Sequence, residues 1–221
     1  AALPGTEREI QFLEASFQGD FYLGEQGSRK RFLSEAMNYD IIHLAIHGKA
    51  DSSNRFQSSL IFNGSDSLLN TNQLYLANIH AQLAVLSACE SGMGQIESGE
   101  GTFSIARGFA IVGVPNVVMS LWEVNDRTTS SQMVKFYQKF LDEKKDLNSS
   151  LREVKLDYIK DGDSYLSHPY FWASFIHLGQ NTDIKGSFFQ ENKMWLGIFS
   201  LMIILGTIAS ILALKKRKGI L

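Results

Sequence analysis

An α/β fold, with a mostly parallel sheet covered by helices on both faces, is what this sequence predicts. Three short apolar runs, DIIHLAIHG, AQLAVLSACESG and VPNVVMSLW, are near-continuous in the manner of strands buried on both sides. Segments of helical periodicity fall between them, as crossover-connected parallel strands require. Of 221 residues, 44% are hydrophobic and 20% charged, with 18 Gly, 3 Pro and one Cys, which excludes disordered, collagen-like and low-complexity classes. A chain of this size buries a core without staples. The lone Cys89 excludes an internal disulfide, a CxxC redox pair and a multi-thiolate zinc site.

Taken in order, DFYLG from Asp20 reads as a strand, and SRKRFLSEAM as a helix with Phe32, Leu33 and Met37 near helical spacing. DIIHLAIHG, bounded by Asp40 and Gly48, is a buried strand; SSLIFNG is a further short one. TNQLYLANI reads as a helix with Thr71 and Asn72 as cap candidates. AQLAVLSACESG is a buried strand that ends in a small-residue turn, and Glu97, Gly99, Glu100 and Gly101 follow in what is expected to be a mobile loop. GTFSIARGFAIVG is a helix and VPNVVMSLW a strand. RTTSSQMVKFYQKFLDEK is an amphipathic helix with Met133, Phe136, Tyr137 and Phe140 on a related face. SSLREVKLDYIK is helical again, and HPYFWASFIHLG reads as the last strand. There is no evident internal repeat.

Trp195 to Leu214, WLGIFSLMIILGTIASILAL, is a run without a charge, long enough as a helix to match a bilayer core of about 30 Å. Trp195 stands where an interfacial aromatic belongs, and Lys215, Lys216, Arg217 and Lys218 follow at once. A single transmembrane helix over 195–214 is therefore expected, reached through a linker over 183–194 and followed by a basic tail over 215–221. Positive-inside bias leaves that tail in the cytoplasm and residues 1–182 on the opposite side; insertion as a tail anchor gives the reverse.

The formal charge of −2 includes those four cations, so residues 1–214 carry −6. An acidic body is a poor partner for phosphate backbones, which argues against nucleic-acid binding. The sequence opens on Ala1, and a fragment or a processed chain is the expectation that follows.

In parallel sheets ligands gather at the carboxyl ends of strands, and that rule brings His47 with Gly48 and Cys89 with Glu90 to two strand ends. A thiol attacks carbonyl carbon as thiolate, and free Cys, with a pKa of about 8.5, needs a neighbouring base to be a useful nucleophile at neutral pH. His47 suits that role, and Ser87, Ala88, Ser91, Gly92 and Gly94 leave room around the sulfur. Gly48 and Gly92 free backbone N–H groups to face a developing oxyanion. The bland alternative is a buried, inert thiol. His43 shares a strand face with His47 but reads as a core histidine with a satisfied ring. His80, His168 and His177 read as packing or surface residues, and no metal site or cofactor is expected. Trp122 and Trp172 read as core or pocket wall.

The blocks HLAIHGKAD, SLIFNG, LAVLSACESGMG, GEGTFSIARGFAIVGVPNVVMSLWEVND, MVKFYQKF and HPYFWASFIHLG, in this order, resemble the CHAT domain family over roughly residues 20–180. These are caspase-like cysteine peptidases related to separase and often fused to tetratricopeptide repeats. The resemblance implies a caspase-like fold over residues 1–182, His47 as catalytic base, Cys89 as nucleophile, and Gly48 with the Cys89 amide as oxyanion hole. Ser91 stands where the family usually has Thr. Asp51 fits the family's HGxxD pattern and Asp126 its WxVxD block; each either orients its loop or caps a helix, or contributes with Glu90 to a substrate pocket. The implied partners are a protein or peptide substrate and a tetratricopeptide region outside this chain, besides the bilayer. The reading is thus a membrane-anchored cysteine endopeptidase; its rivals are a catalytically silent interaction module and, more weakly, a thiol redox protein.

Overall fold

The structure is a computed structural model that describes residues 4–49, 58–87, 96–97, 101–102, 105–122, 126–142, 146–161, 167–181 and 184. All of these belong to the part of the chain from Ala1 to Phe188. Asp51, Cys89, Glu90 and the apolar run 195–214 lie outside the described residues. No helix among the described residues is long and apolar enough to cross a membrane.

The elements run α1 (Pro4–Ser16), α2 (Arg29–Glu35), β1 (Ile41–Leu44), β2 (His47–Lys49), β3 (Ser59–Ile61), β4 (Leu68–Asn70), α3 (Thr71–Leu74), β5 (Leu83–Leu86), β6 (Ile96–Glu97), β7 (Gly101–Thr102), α4 (Ile105–Ile111), β8 (Asn116–Ser120), α5 (Asp126–Asp142), α6 (Leu147–Asp161), α7 (Pro169–Trp172) and β9 (Phe175–Gly179). The main sheet has the order β1-β5-β8-β9. Its first three strands are parallel, Ile41 opposite Leu83, Leu44 opposite Leu86 and Leu86 opposite Met119. β9 closes it antiparallel to β8, from Asn116 opposite Gly179 to Ser120 opposite Phe175. The α/β class and the mostly parallel sheet flanked by helices are thus as the sequence predicts.

Side chains alternate across a strand, and the sheet sorts them into two cores. Ile42, Leu44, Ala84, Leu86, Val117 and Met119 face one cluster, completed by residues such as Leu60, Leu69, Leu74 and Phe109. Leu83, Val85 and Val118 face the other, where Leu13 of α1, Met133 and Phe136 of α5 and Leu151 and Val154 of α6 meet them. The i, i+3, i+4, i+7 stripe of Met133, Phe136, Tyr137 and Phe140 is buried along α5.

Several expectations are corrected. DFYLG forms no strand: Asp20–Leu23 leads into a single 3-10 turn at Gly24–Gln26, tied down by the Tyr22 hydroxyl donating to Glu35 at 2.7 Å. A helix precedes it, α1, which the sequence reading leaves out. Of TNQLYLANI only Thr71–Leu74 is helical; the chain then leaves the helix through tighter turn bonds, Leu76 N–H to the Gln73 carbonyl at 3.2 Å and Ala77 N–H to the Leu74 carbonyl at 3.0 Å. Asn70 is the N-cap, and its backbone N–H donates to Gln73 Oε1 at 3.1 Å. HPYFWASFIHLG divides in two, Pro at the first helical position making Pro169–Trp172 a turn of helix before β9 begins. In the segment expected to be a mobile loop, Ile96–Glu97 and Gly101–Thr102 pair as an antiparallel ribbon.

Candidate active site

The DIIHLAIHG run is not one strand. β1 ends at Leu44, the chain bends at Ile46, and His47–Lys49 enters a second, antiparallel sheet in which His47 is opposite Ile61 and Gly48 opposite Leu60. His47 therefore opens a strand of the β2-β3-β4 sheet instead of ending one in the main sheet. Its side chain is exposed, and Gly48 is half-buried. The change of sheet follows from the pairing: β5 supplies hydrogen bonds as far as the Ser87 N–H, which donates to the Leu44 carbonyl at 3.1 Å, and beyond it β3 becomes the partner of this chain.

The strand that leads to Cys89 is β5, β1's parallel neighbour. Leu44 and Leu86 are register partners, and His47 and Cys89 each follow their strand terminus by three residues. Three residues of chain reach at most about 10 Å, and adjacent strands stand about 4.8 Å apart. Both termini lie on one carboxyl edge of the sheet, where α/β proteins build their sites. Ser120, the end of β8, is on the same edge, with Trp122 beyond it. Trp122 is half-buried, stacked on Tyr170 at a centroid distance of 6.5 Å, and its indole N–H donates to the Tyr170 carbonyl at 3.0 Å. Asp126 is the first residue of α5.

His43 has the satisfied ring expected of it, though its partners are not ones the sequence reading names. It points from β1 into the α1 and α5 side of the sheet. Nδ1 lies 3.0 Å from the Tyr137 hydroxyl, and Nε2 lies 2.9 Å from Glu9 Oε1 and 3.5 Å from Ser87 Oγ. Glu9 is 2% exposed and Tyr137 fully buried. Burial, reinforced by the Glu9 charge, pushes the Tyr137 phenol well above its ordinary value, so it keeps its proton. With a carboxylate beside Nε2 the ring proton belongs on that nitrogen, and Nδ1 then accepts from the Tyr137 hydroxyl. The Glu9 contact is electrostatic: Oε1 makes no aligned hydrogen bond among the described residues.

Of the other histidines, His168 and His177 have structural roles. His80 is exposed. His168 caps α7, its Nδ1 accepting from the Tyr170 N–H at 3.2 Å. His177 bridges Asn116 and Asn148, 3.0 Å from each side-chain oxygen, and burial lowers its pKa. Trp172 packs against the second core and donates to the Ser167 carbonyl at 2.8 Å. An open groove of 460 Å³ runs between α6 and β9, lined by Arg152, Lys155, Ile159, Trp172 and His177 among others. That groove is on the far strand of the sheet from β1. Among the described residues no three His, Cys, Asp or Glu are grouped to hold a metal ion.

Compared with known proteins, residues 1–180 match the profile of the CHAT domain. No curated protein matches the chain.

Proposed function

The chain belongs to the CHAT domain family, and on that premise we propose that it is a cysteine endopeptidase in which His47 and Cys89 form the catalytic dyad. The observation that carries this reading is the pairing of Leu44 with Leu86, because it brings the segments leading to both residues to one sheet edge. The family supplies the caspase-like peptidase assignment; the residue roles rest on matching its motifs.

In this mechanism His47 takes the Cys89 thiol proton and the thiolate adds to the scissile carbonyl carbon. The Gly48 and Cys89 amides hold the resulting oxyanion. Collapse breaks the C–N bond, the His47 proton passes to the leaving amine, and a thioester remains. Water, deprotonated by His47, then cleaves the thioester and restores the thiol. An exposed His47 suits a base that must meet a protein substrate. Asp51, Glu90 and Asp126 belong in this proposal as loop-orienting or pocket residues. Residues 195–214 we assign to a membrane anchor, with the basic tail cytoplasmic and the peptidase domain on the opposite side.

Cys89 is the one cysteine of the sequence, so thiol alkylation reports on it alone. The test is the rate of iodoacetamide alkylation against pH in the full chain and in His47→Ala. The proposal expects a midpoint well below about 8.5 in the wild type and a return to that value in His47→Ala. Identical profiles in the two proteins would overturn it in favour of a silent interaction module.

A further inference from the structure

Glu9, His43 and Tyr137 are a polar array inside an apolar cluster. Leu13, Val85, Met133 and Phe136 belong to the same core, and the Glu9 and His43 side chains are only 2% and 11% exposed. Taking a carboxylate and an imidazole out of water is costly, and replacing such a pair by well-packed apolar residues is often neutral or stabilising. Stability alone gives no reason for the array. Its position does: His43 stands one residue before the last rung of β1, and its Nε2 is within hydrogen-bond reach of Ser87 Oγ, two residues before Cys89.

We propose that Glu9, His43 and Tyr137 are positioning residues that fix Ser87, and through it the start of the segment carrying Cys89. Tyr137, from α5, orients the ring by its bond to Nδ1. Glu9, from α1, holds the proton on Nε2. That nitrogen then presents its N–H toward the Ser87 oxygen, while the Ser87 amide is held by Leu44 on the same strand as His43. Ser87 is thus gripped at both backbone and side chain from β1, two residues in sequence before the proposed nucleophile. Misplacing a reacting group by an ångström costs on the order of 100-fold in rate, which gives a buried polar array its use at this point. The inference rests on Cys89 being the reactive group of the proposed dyad.

The experiment measures iodoacetamide alkylation of Cys89 at neutral pH in the full chain, on protein shown to be folded by a cooperative melt. The variants are Glu9→Gln, His43→Gln, Ser87→Ala and Ser87→Thr, with Leu151→Val as a control that loosens the same apolar cluster from α6. Glu9→Gln, His43→Gln and Ser87→Ala are expected to slow the reaction by roughly 10-fold or more. Ser87→Thr, which keeps the hydroxyl, restores most of the rate, and Leu151→Val leaves it unchanged. If His47→Ala alters the Cys89 profile while the array variants behave like Leu151→Val, the positioning role is overturned and the dyad stands. An unaltered profile in His47→Ala, with slowed array variants, would overturn the dyad and keep the positioning role. Should His43→Gln fail to fold, Glu9→Gln and Ser87→Ala decide the matter.

Discussion

The Ser87 amide donates to the Leu44 carbonyl across 3.1 Å, and among the described residues this is the final rung between β5 and β1. Beyond it the β1 chain passes into a different sheet at His47, and Cys89 follows Ser87 by two residues in the sequence. The strand before the proposed base and the strand before the proposed nucleophile thus share one fixed point.

Removal of either member of the proposed dyad should be felt in the reactivity of Cys89. A peptide carrying a thiol-reactive carbonyl electrophile is expected to label Cys89 in the full chain, detected as one mass adduct. His47→Ala should slow labelling by roughly 10²- to 10⁴-fold, and Cys89→Ala should abolish it. Equal labelling of wild type and His47→Ala would count against His47 as the base.

Tyr137→Phe removes the hydroxyl that faces His43 Nδ1 and leaves that nitrogen buried without its partner. The expected cost is about 1–3 kcal/mol. It would be read as a lower urea midpoint with an unchanged m-value, since the aromatic packing of Tyr137 on Phe17 and Phe136 survives.

Asp146 gives the protein an acid-sensitive joint. It accepts from the Ser149 amide at 3.0 Å, the Ser149 hydroxyl at 2.6 Å and Asn181 Nδ2 at 2.9 Å. Chiefly through Ser149, these bonds lower its pKa from 3.8 to about 2. A folded value below the unfolded one means that its stabilisation is complete above 3.8 and is lost as pH falls toward about 2. Asp146→Asn should flatten the stability profile over that window and leave its shape near neutrality unchanged; a wild-type slope at acid pH in the variant would refute the assignment.

Gly179 ends β9 with φ +145°, and a Cβ there would run into the Pro115 carbonyl oxygen. Gly179→Ala should therefore destabilise by about 1–3 kcal/mol. Thermal unfolding tests this, with exposed Leu178→Ala as the comparison that ought to cost little.

For the proposed anchor, Ile203→Lys with Ile204→Lys places two charges at the centre of the 195–214 run. Each should cost about 2.5–3.5 kcal/mol of membrane insertion. Flotation of the full chain with lipid vesicles should fall sharply in the double variant; unchanged flotation would remove the anchor.

The central strands β5 and β8 were legible because they are buried on both faces and carry near-continuous apolar runs, and β1 beside them because Ile42 and Leu44 are buried and Ile41 packs on the opposite core. α5 was legible because its stripe is intact. α1 was not, and the reason is Glu9: residues 9, 13 and 17 form the buried i, i+4, i+8 line of that segment, and a carboxylate sits where the periodicity demands an apolar residue. The same substitution that hides the helix marks the array beside His43. The break between Leu44 and His47 was hidden for another reason. Hydrophobicity reports burial and not pairing partner, and Ala45 and Ile46 at the junction are still half-buried, so the run reads through a change of sheet.

The order of the strands also constrains how the molecule is made. β8 takes β5 on one side and β9 on the other, and β9 begins only at Phe175. During synthesis β8 must wait for more than fifty further residues with one edge unpaired, since Ser120 finds its partner only when Phe175 arrives. Pairing so distant in sequence is slow to form, and an open apolar strand edge is a template for another chain. A nascent chain halted after α5 would present that edge to its neighbours, which makes the passage from α5 to β9 the interval in which this fold is most open to association with other chains.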